Sequence, residues 1–438
     1  MKTPIADFVK GYAVKNGVRF HMPGHKGKSF LGCEPYDITE IDGADCLYTA
    51  SGIIAESQKN AADLFGTAAT YFSTEGSSQC IRAMVQVVTA CKTKPWILAA
   101  RNAHKSFLSA LALTDTAVQW LWQEDTQSIC SCTVSAQQVE AALQKTTVPP
   151  AAVYVTSPDY LGNVLPIAEI AAVCHRFGTV LLVDNAHGAY LHFLPQSQHP
   201  IALGADMCCD SAHKTLPVLT GGAYLHIAKQ APAYFYESAK QAMELYGSTS
   251  PSYLILASLD LCNRYLEEAL PRRLNDLLDM VKQTKNILTK NGWELLEGEP
   301  LKLTICCDGI AISKQLREYG IECEYADNDF LVLMVSGETT QEDLNALISA
   351  MGQPLAKCHV PVNLPNVKPE SVLSVRKALF AEQEVMAVSE AVGRIAASPL
   401  VSCPPAIPIV VSGERIDENV AQWFLQYGVD TVAVVKEK

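Results

Sequence analysis

Hydrophobic residues follow two alternating patterns between Lys59 and His226. Short apolar runs, most of them bounded by Gly, Pro, Asn or Asp, predict strands that are buried on both faces of a sheet. These runs lie at 96–99, 151–155, 180–183, 205–209 and 222–227. Between them the apolar residues recur at helical spacing, as at Ile81, Met84 and Val88. Alternating strands and helices are typical of a parallel sheet with crossover helices, so we predict an α/β domain with a mostly parallel sheet.

The pattern changes in the second half of the chain. A periodic apolar stretch over 252–292 is interrupted by Pro271, which predicts a bent helix or a pair of helices. Farther on, the residues predict strands at 301–307, 330–335 and 409–411 and helices at 312–319, 340–351, 372–396 and 417–427. This mixture is typical of a small α+β domain. We therefore predict an N-terminal segment (1–55), a large α/β domain (56–270) and a smaller C-terminal α+β domain (271–438).

The composition narrows the classes of protein that fit this pattern. Of the 438 residues, 49% are hydrophobic and 18% are charged, which is ordinary for a globular protein. The apolar runs are far shorter than the roughly 18 residues of a membrane span, and no signal peptide is recognisable. The net charge of −12 argues against a nucleic-acid surface and is compatible with a cationic substrate. We expect a cytoplasmic protein that binds neither membranes nor nucleic acids.

The cysteines and paired histidines give no sign of a metal or disulfide framework. Fifteen cysteines are present, an odd number, and no Cys-x-x-Cys occurs, so we expect free thiols in a reducing compartment. His21 and His25 are four residues apart, but Pro23 lies between them, so the two imidazoles cannot share a helix face as a metal pair would. We therefore predict no metal site.

Two predicted strands are followed by residues that carry chemistry. Asp184 directly follows the apolar run 180–183, with His187 three positions on. A helix cap or an edge salt bridge would also explain this aspartate, but ligands in doubly wound folds bind at the carboxyl ends of strands. Lys214 follows the run 205–209 and is unusual for a surface loop. It suits a Schiff-base amine held in a dry pocket.

Two further segments offer a phosphate contact and a flat ring. The polar turn 71–78 contains Ser77 and Ser78 and directly precedes a predicted helix. Backbone N–H groups at a helix N-terminus, together with two hydroxyls, can bind a phosphate, although serine there is often only a cap. His104, after the strand 96–99, offers an imidazole at the same end of the sheet, unless it is a loop histidine in solvent.

These features together describe a pyridoxal-phosphate site: an acid for a ring nitrogen, a lysine for an aldehyde, a phosphate cradle and a ring to stack. Their order along the chain resembles the aspartate-aminotransferase superfamily, called fold type I. The motifs also resemble those of the bacterial ornithine/lysine/arginine decarboxylase family. The matching segments are His-Met-Pro-Gly-His at 21–25, Arg-Asn-Ala-His-Lys-Ser at 101–106, Asp-Asn-Ala-His-Gly-Ala at 184–189, Ser-Ala-His-Lys-Thr-Leu at 211–216, Thr-Ser-Pro-Ser-Tyr at 249–253 and Ser-Gly-Glu-Arg-Ile at 412–416.

The resemblance implies a role for each matched residue. Lys214 would form the Schiff base with the cofactor, Asp184 would pair with the pyridine nitrogen, and His187 would handle protons beside the Schiff base. The remaining cofactor contacts that it implies are Ala186 and His104 on the two ring faces, Ser77, Ser78, Ser211 and His213 at the phosphate, and Thr249 at the phosphate from the second subunit of a homodimer.

The resemblance also implies a reaction, the decarboxylation of lysine, arginine or ornithine to the corresponding amine. Because the first motif begins at residue 21, it implies a short form without the N-terminal wing domain, and decamers formed through that domain are not expected. Transamination, an oxygen-coupled deamination, or pyridoxal-phosphate binding without turnover remain alternatives, since one fold hosts many reactions.

Two residues are candidates for substrate binding. A buried ammonium or guanidinium needs a carboxylate partner, and Glu414 is our candidate because it lies in a matched motif. Alternatively, Glu414 has a structural role: the dipole of the 417–427 helix favours a negative charge near the helix N-terminus, and Glu414 pairs with Arg415. His25, in the first matched motif, is the second candidate.

Overall fold

The structure is a computed structural model, and it describes residues 1–123, 128–354, 365, 367–398 and 405–437. The strands are β1 (Ala69–Ser73), β2 (Trp96–Ala100), β3 (Ala117–Leu121), β4 (Ala152–Thr156), β5 (Leu181–Asp184), β6 (Met207–Asp210), β7 (Ala223–Ile227), β8 (Glu294–Leu295), β9 (Lys302–Cys306), β10 (Tyr325–Ala326), β11 (Phe330–Met334), β12 (Gln383–Ala387) and β13 (Thr431–Val435). The helices are α1 (Pro4–Lys15), α2 (Ile53–Phe65), α3 (Gly76–Thr89), α4 (Lys105–Thr114), α5 (Ala136–Gln144), α6 (Ile167–Arg176), α7 (Ala212–Thr215), α8 (Tyr234–Tyr246), α9 (Tyr253–Glu268), α10 (Leu270–Lys290), α11 (Gly309–Glu318), α12 (Gln341–Met351), α13 (Val375–Leu379) and α14 (Glu418–Gln426).

The chain forms two compact units, each built from two stretches of sequence. The first unit comprises residues 1–90 and 167–275, and the second comprises residues 91–166 and 276 onward. The domain boundaries after residues 55 and 270 stay predictions. None of the helices in the described ranges combines the length and the apolar character needed to cross a bilayer.

The sheet of the first unit has the strand order β1-β7-β6-β5. β5 and β6 are parallel, and all of their residues are buried, as their apolar runs predict. β7 is antiparallel to both β6 and β1, so it is an exception within the mostly parallel sheet that we predicted. A parallel connection needs a crossover, usually a helix, whereas the chain between β6 and β7 contains only the single-turn α7.

Helix α3 covers one face of this sheet. Its buried residues include Ile81, Met84, Val85 and Val88, which recur at the spacing that predicted the helix. It packs against β6 and β7. The start of α3 lies next to the residue that follows β6, because the Ser77 and Ser211 hydroxyls are 2.8 Å apart.

The second unit contains the parallel strands β2, β3 and β4, a four-stranded antiparallel sheet of order β10-β11-β9-β8, and the antiparallel pair β12 and β13. The strands at 301–307 and 330–335 are confirmed as β9 and β11, and the helix at 340–351 is confirmed as α12. α12 starts with a capping box in which the side chains of Thr340 and Asp343 bind each other's backbone N–H groups.

Two predictions for this unit are wrong. Residues 372–396 do not form one helix: α13 ends at Leu379 and the chain continues into β12. Ala and Glu in this stretch favour a helix, but antiparallel pairing of β12 with β13 overrides that local preference. Residues 409–411 do not form a strand. The helix pair over 252–292 is confirmed, because α9 ends at Glu268 and Pro271 lies in the first turn of α10.

Candidate active site

The carboxyl end of β5 carries a buried carboxylate. Asp184 is the last residue of β5, lies opposite Cys209 of β6 and is 3% exposed. Its Oδ1 accepts a hydrogen bond from the Ala186 N–H at 3.2 Å and a weak one from the Cys209 thiol at 3.6 Å. These contacts hold an anionic oxygen at the strand end, where a protonated ring nitrogen would find a partner.

The chain places Lys214 beside His187. The Lys214 Nζ lies 2.8 Å from the His187 Nε2. His187 is buried in the turn after β5, and Lys214 is half-buried on α7. A lysine ammonium has only donors, so in that state Nε2 accepts and the His187 proton lies on Nδ1. The pair can therefore pass a proton between the amine and the imidazole.

Two loops meet at the N-terminus of α3. The Ser211 hydroxyl donates to the Ser77 hydroxyl at 2.8 Å, and the Gly76 N–H donates to the Gly221 carbonyl at 2.7 Å. Gly76 has φ of +69°, a conformation that favours glycine. A β-carbon on Gly221 would lie only 2.9 Å from the carbonyl oxygen of Thr74, so this close approach also requires glycine.

The other predicted phosphate contacts surround these loops. Ser78 is the third residue of α3 and is partly buried. His213 is held through Gly222, whose carbonyl accepts from the His213 N–H at 3.1 Å and from its Nδ1 at 2.9 Å, so the ring proton lies on Nδ1. Thr249 is exposed in the turn between α8 and α9.

This donor set fits pyridoxal phosphate. Serine hydroxyls at the N-terminus of a 14-residue helix suit a phosphate dianion, a strand-end carboxylate suits the ring nitrogen, and a lysine beside an imidazole suits the aldehyde. The residues that would hold the cofactor in the first unit are Ser77, Ser78, Asp184, Ala186, His187, Ser211, His213, Lys214 and, from the partner of a dimer, Thr249. Their individual roles stay predictions.

His104 belongs to the second unit, where it begins a helix. Its Nδ1 accepts a hydrogen bond from the Ser106 N–H at 3.1 Å, which makes His104 the N-cap of α4. The ring is half-buried, unlike a loop histidine in solvent. Its proposed stacking on the cofactor ring stays a prediction.

Glu414 also belongs to the second unit and is 2% exposed. Its Oε2 accepts hydrogen bonds from Arg101 at 3.0 Å and from the Val411 N–H at 2.7 Å. Burial raises the pKa of this carboxyl and Arg101 partly opposes that effect. These contacts favour a structural role, while substrate binding by Glu414 stays a prediction.

The alternative that we gave for Glu414 is wrong in its partners. Arg415 pairs with Glu370 at 3.0 Å, and α14 is capped by Asp417, whose side chain accepts from the Val420 N–H. Asp417 caps the free N–H groups at the start of α14. Glu414 does not contribute to that cap and binds Arg101.

The second substrate candidate, His25, lies in the first unit. Its Nε2 is 3.1 Å from the Asp37 Oδ2, and its Nδ1 accepts from the Gly27 N–H at 3.0 Å. The ring is partly buried. Binding of substrate by His25 stays a prediction.

Sequence reasoning missed one group in the first unit. Asp210 ends β6 as Asp184 ends β5, and it is fully buried with hydrogen bonds to His199 and His226. The signal was present in the sequence, because an apolar run that ends in a carboxylate is the pattern that identified Asp184.

Fold and side chains together fit a pyridoxal-phosphate-dependent enzyme of fold type I. The chain belongs to the Orn/Lys/Arg decarboxylase family: residues 3–306 match the major domain of that family, and residues 358–429 match its C-terminal domain.

Named relatives cover nearly the whole chain. An arginine decarboxylase of Halalkalibacterium halodurans is 31% identical over 95% of this chain and 92% of its own length. An arginine decarboxylase of Bacillus subtilis is 30% identical over 97% of this chain and 93% of its own length. A solved lysine decarboxylase of Francisella novicida superposes with a TM-score of 0.82 at 18% identity, covering 99% of this chain and 81% of that one. The likeness to that structure confirms the fold type I prediction.

Proposed function

We propose that this chain removes the α-carboxylate of a basic amino acid as CO₂, with arginine as the first candidate substrate. The observation that carries the choice of arginine is the full-length similarity to arginine decarboxylases at 30–31% identity. By contrast, the constitutive lysine decarboxylase of Escherichia coli is 22% identical over 74% of its length. The net charge of −12 also favours the approach of a cation.

Pyridoxal phosphate, when bound, supplies an aldehyde that condenses with amines and a pyridinium ring that accepts the electron pair left by a departing carboxylate. Lys214 would provide the amine that holds the cofactor through its aldehyde. His187 takes or returns a proton at the Lys214 Nζ, to which its Nε2 is adjacent. Asp184 keeps the ring nitrogen protonated, because its buried carboxylate stabilises the positive charge there.

Ser77 and Ser211 fix the other end of the cofactor. Their hydroxyls are in contact and lie at the start of α3, where the helix dipole favours an anion. Asp184 and His187 are both more than nine-tenths buried, so water is largely excluded around them. Ser77, Ser211 and Lys214 would hold the two ends of the cofactor, and such fixed contacts favour one orientation of the reacting groups.

Product analysis tests this proposal. Purified protein with pyridoxal phosphate is incubated separately with arginine, lysine and ornithine, and the products are identified by mass spectrometry. We expect agmatine and CO₂ from arginine, with the highest kcat/KM of the three. Cadaverine or putrescine as the main product would assign another basic substrate, whereas a keto acid or no product would contradict decarboxylation.

We propose further that the active unit is a homodimer. One segment of the first unit exposes several large apolar side chains, which monomeric proteins rarely leave in water. They are Val14 (84% exposed), Val18 (85%), Phe20 (95%), Phe30 (82%) and Leu31 (89%). A second copy of this chain would cover them and would bring Thr249, which is exposed, to a neighbouring site.

The loop that carries Phe30 and Leu31 allows a direct test. The Glu34 carboxylate accepts hydrogen bonds from the N–H groups of Phe30, Leu31 and Gly32 at 2.6–2.9 Å, so the loop is held by its backbone. The double variant Phe30→Ser, Leu31→Ser should therefore fold and yet lose the apolar contact. We expect the wild type to sediment as a dimer and the variant as a 47.5 kDa monomer with little activity.

The matched control for this variant is Val148→Ser, which changes an exposed valine (64%) in a loop of the second unit. It should remain dimeric and active. A wild-type monomer with full activity would contradict the dimer proposal, as would a double variant that sediments like the wild type.

A further inference from the structure

A buried carboxylate lies directly beside the candidate site. Asp210 is the last residue of β6 and is completely inaccessible to solvent. Its carboxylate accepts three hydrogen bonds: from Asn185 Nδ2 at 2.7 Å, His199 Nε2 at 3.0 Å and His226 Nε2 at 3.1 Å. Burial alone would raise the pKa of this carboxyl, but the two imidazoles outweigh burial and hold its pKa well below the ordinary value. The three donors therefore stabilise one buried negative charge.

The Asp210 carboxylate links the carboxyl ends of β5 and β6 through its hydrogen bond from Asn185. Asn185, one of its donors, directly follows Asp184, and the Asn185 N–H also donates to the Cys209 carbonyl at 3.0 Å. Asp210 itself directly precedes Ser211, where the Ser-Ala-His-Lys segment begins. The position of the Asp184 carboxylate relative to Ser211 and α7 therefore depends on the Asn185–Asp210 contact.

Asp210, His199 and the neighbouring Cys208 could also form a metal site, since their ligand atoms lie within 4.8 Å of one another. Their hydrogen bonds argue against metal binding. The Ile201 N–H donates to the His199 Nδ1 at 3.4 Å, so the ring proton lies on Nε2 and points to Asp210. A metal at Nε2 would need that proton on Nδ1, where the Ile201 N–H already donates. Burial also raises the pKa of the Cys208 thiol well above its ordinary value.

We propose that Asp210 is a positioning residue: with Asn185, His199 and His226 it sets the geometry between Asp184 and the segment that carries Lys214. Such outer hydrogen bonds orient groups that touch a cofactor or substrate. The inference rests on the proposed roles of Asp184 and Lys214. It concerns the orientation of the bound cofactor and not only the stability of the fold.

The chain offers a matched control at the opposite end of the same two strands. The Asp206 Oδ2 accepts from His175 Nε2 at 2.9 Å and from the Leu181 N–H at 2.8 Å, and Asp206 is 3% exposed. Asp206→Asn and Asp210→Asn therefore each remove the charge of a buried aspartate that accepts from a histidine and also links β6 to β5, Asp206 through the Leu181 N–H and Asp210 through the Asn185 side chain. Only the Asp210 contact lies beside the candidate site.

Both variants are compared with the wild type as holoenzymes. The measurements are melting temperature, the Kd for pyridoxal phosphate, the circular dichroism band of the bound cofactor, and kcat and KM. For Asp210→Asn we expect a changed dichroism band and a kcat lowered about tenfold or more, with KM within about twofold, because misplacement of reacting groups slows chemistry more than binding. Asp206→Asn should lower the melting temperature and leave the dichroism and kcat unchanged.

Equal behaviour of the two variants in dichroism and kcat would overturn the positioning role. If Asp210→Asn does not fold, His226 supplies the test: His226→Gln keeps a donor for Asp210 and should retain the dichroism, whereas His226→Leu removes it and should not. One equivalent of zinc per chain, lost in Asp210→Asn, would also overturn the proposal in favour of a metal site. Labelling of the wild type at a lysine other than Lys214 by borohydride would instead refute the proposed role of Lys214, on which this inference rests.

Discussion

Lys214→Ala is expected to abolish covalent retention of pyridoxal phosphate and to lower turnover by several orders of magnitude. The physical reason is the position of this amine, because Lys214 lies on α7 with its Nζ 2.8 Å from the buried His187 imidazole. Without that amine the cofactor is held only by non-covalent contacts. Proton transfer between the Lys214 amine and His187 is lost as well. The measurement is borohydride reduction of the holoenzyme followed by peptide mass spectrometry, together with single-turnover kinetics.

Lys229→Ala is the control for this variant, because Lys229 is exposed just after β7. It should retain both the reduced cofactor and the activity. Lys214→Ala protein that still carries reduced pyridoxal phosphate after borohydride treatment would show that another residue is the attachment site. Addition of a small exogenous amine to Lys214→Ala should restore part of the turnover if only the amine is missing.

Glu414→Gln is expected to destabilise the second unit by about 1–3 kcal/mol, because a charge-assisted hydrogen bond from a buried arginine becomes an ordinary one. Arg101 keeps other contacts, since its guanidinium donates to the carbonyls of Pro408 and Ile409 and lies against the Trp120 and Trp122 rings. The variant should therefore fold, with a lower melting temperature and an unchanged KM for the basic amino acid.

Glu382→Gln provides the comparison, because it removes an ion pair with Lys436 in which both side chains are at least half exposed. Exposed pairs contribute about 0–1 kcal/mol, so this control should melt close to the wild type. If Glu414 bound the substrate, Glu414→Gln would instead raise KM strongly at an unchanged melting temperature. That result would restore the substrate role and argue against the structural one.

The sequence predicted those parts of the fold in which one local pattern decides the outcome. Strand β5 is an apolar run that stops at a carboxylate, and α3 has apolar residues at helical spacing, so both were found. The same reasoning brought His187 and Lys214 to one end of the sheet, and the structure places their nitrogen atoms in contact. Local patterns suffice here because β5 and β6 are buried along their whole length, so each reads as a continuous apolar run.

Other features depend on partners that are distant in sequence. The direction of β7 is decided by its pairing with β1, about 150 residues earlier, which hydrophobic periodicity cannot report. β12 is a strand only because β13 lies beside it. Arg101, the partner of Glu414, is more than 300 residues away along the chain, so a nearby helix and Arg415 were the partners that the sequence suggested. Non-local contacts of this kind override local preference.

The Glu34 carboxylate that holds the apolar loop has a consequence for acid tolerance. Its bond from the Leu31 N–H, with those from Phe30 and Gly32, lowers its pKa from the ordinary value to about 2. A carboxyl whose folded pKa is lowered stabilises the fold above its unfolded pKa, and it loses that contribution only as the pH falls through the folded pKa. The Glu34 carboxylate therefore keeps its charge from neutral pH to well below pH 4, and the loop that we propose as part of a dimer contact keeps its shape over the same range. If the proposed dimer dissociates in mildly acidic solution, the cause is the protonation of ionisable groups other than Glu34.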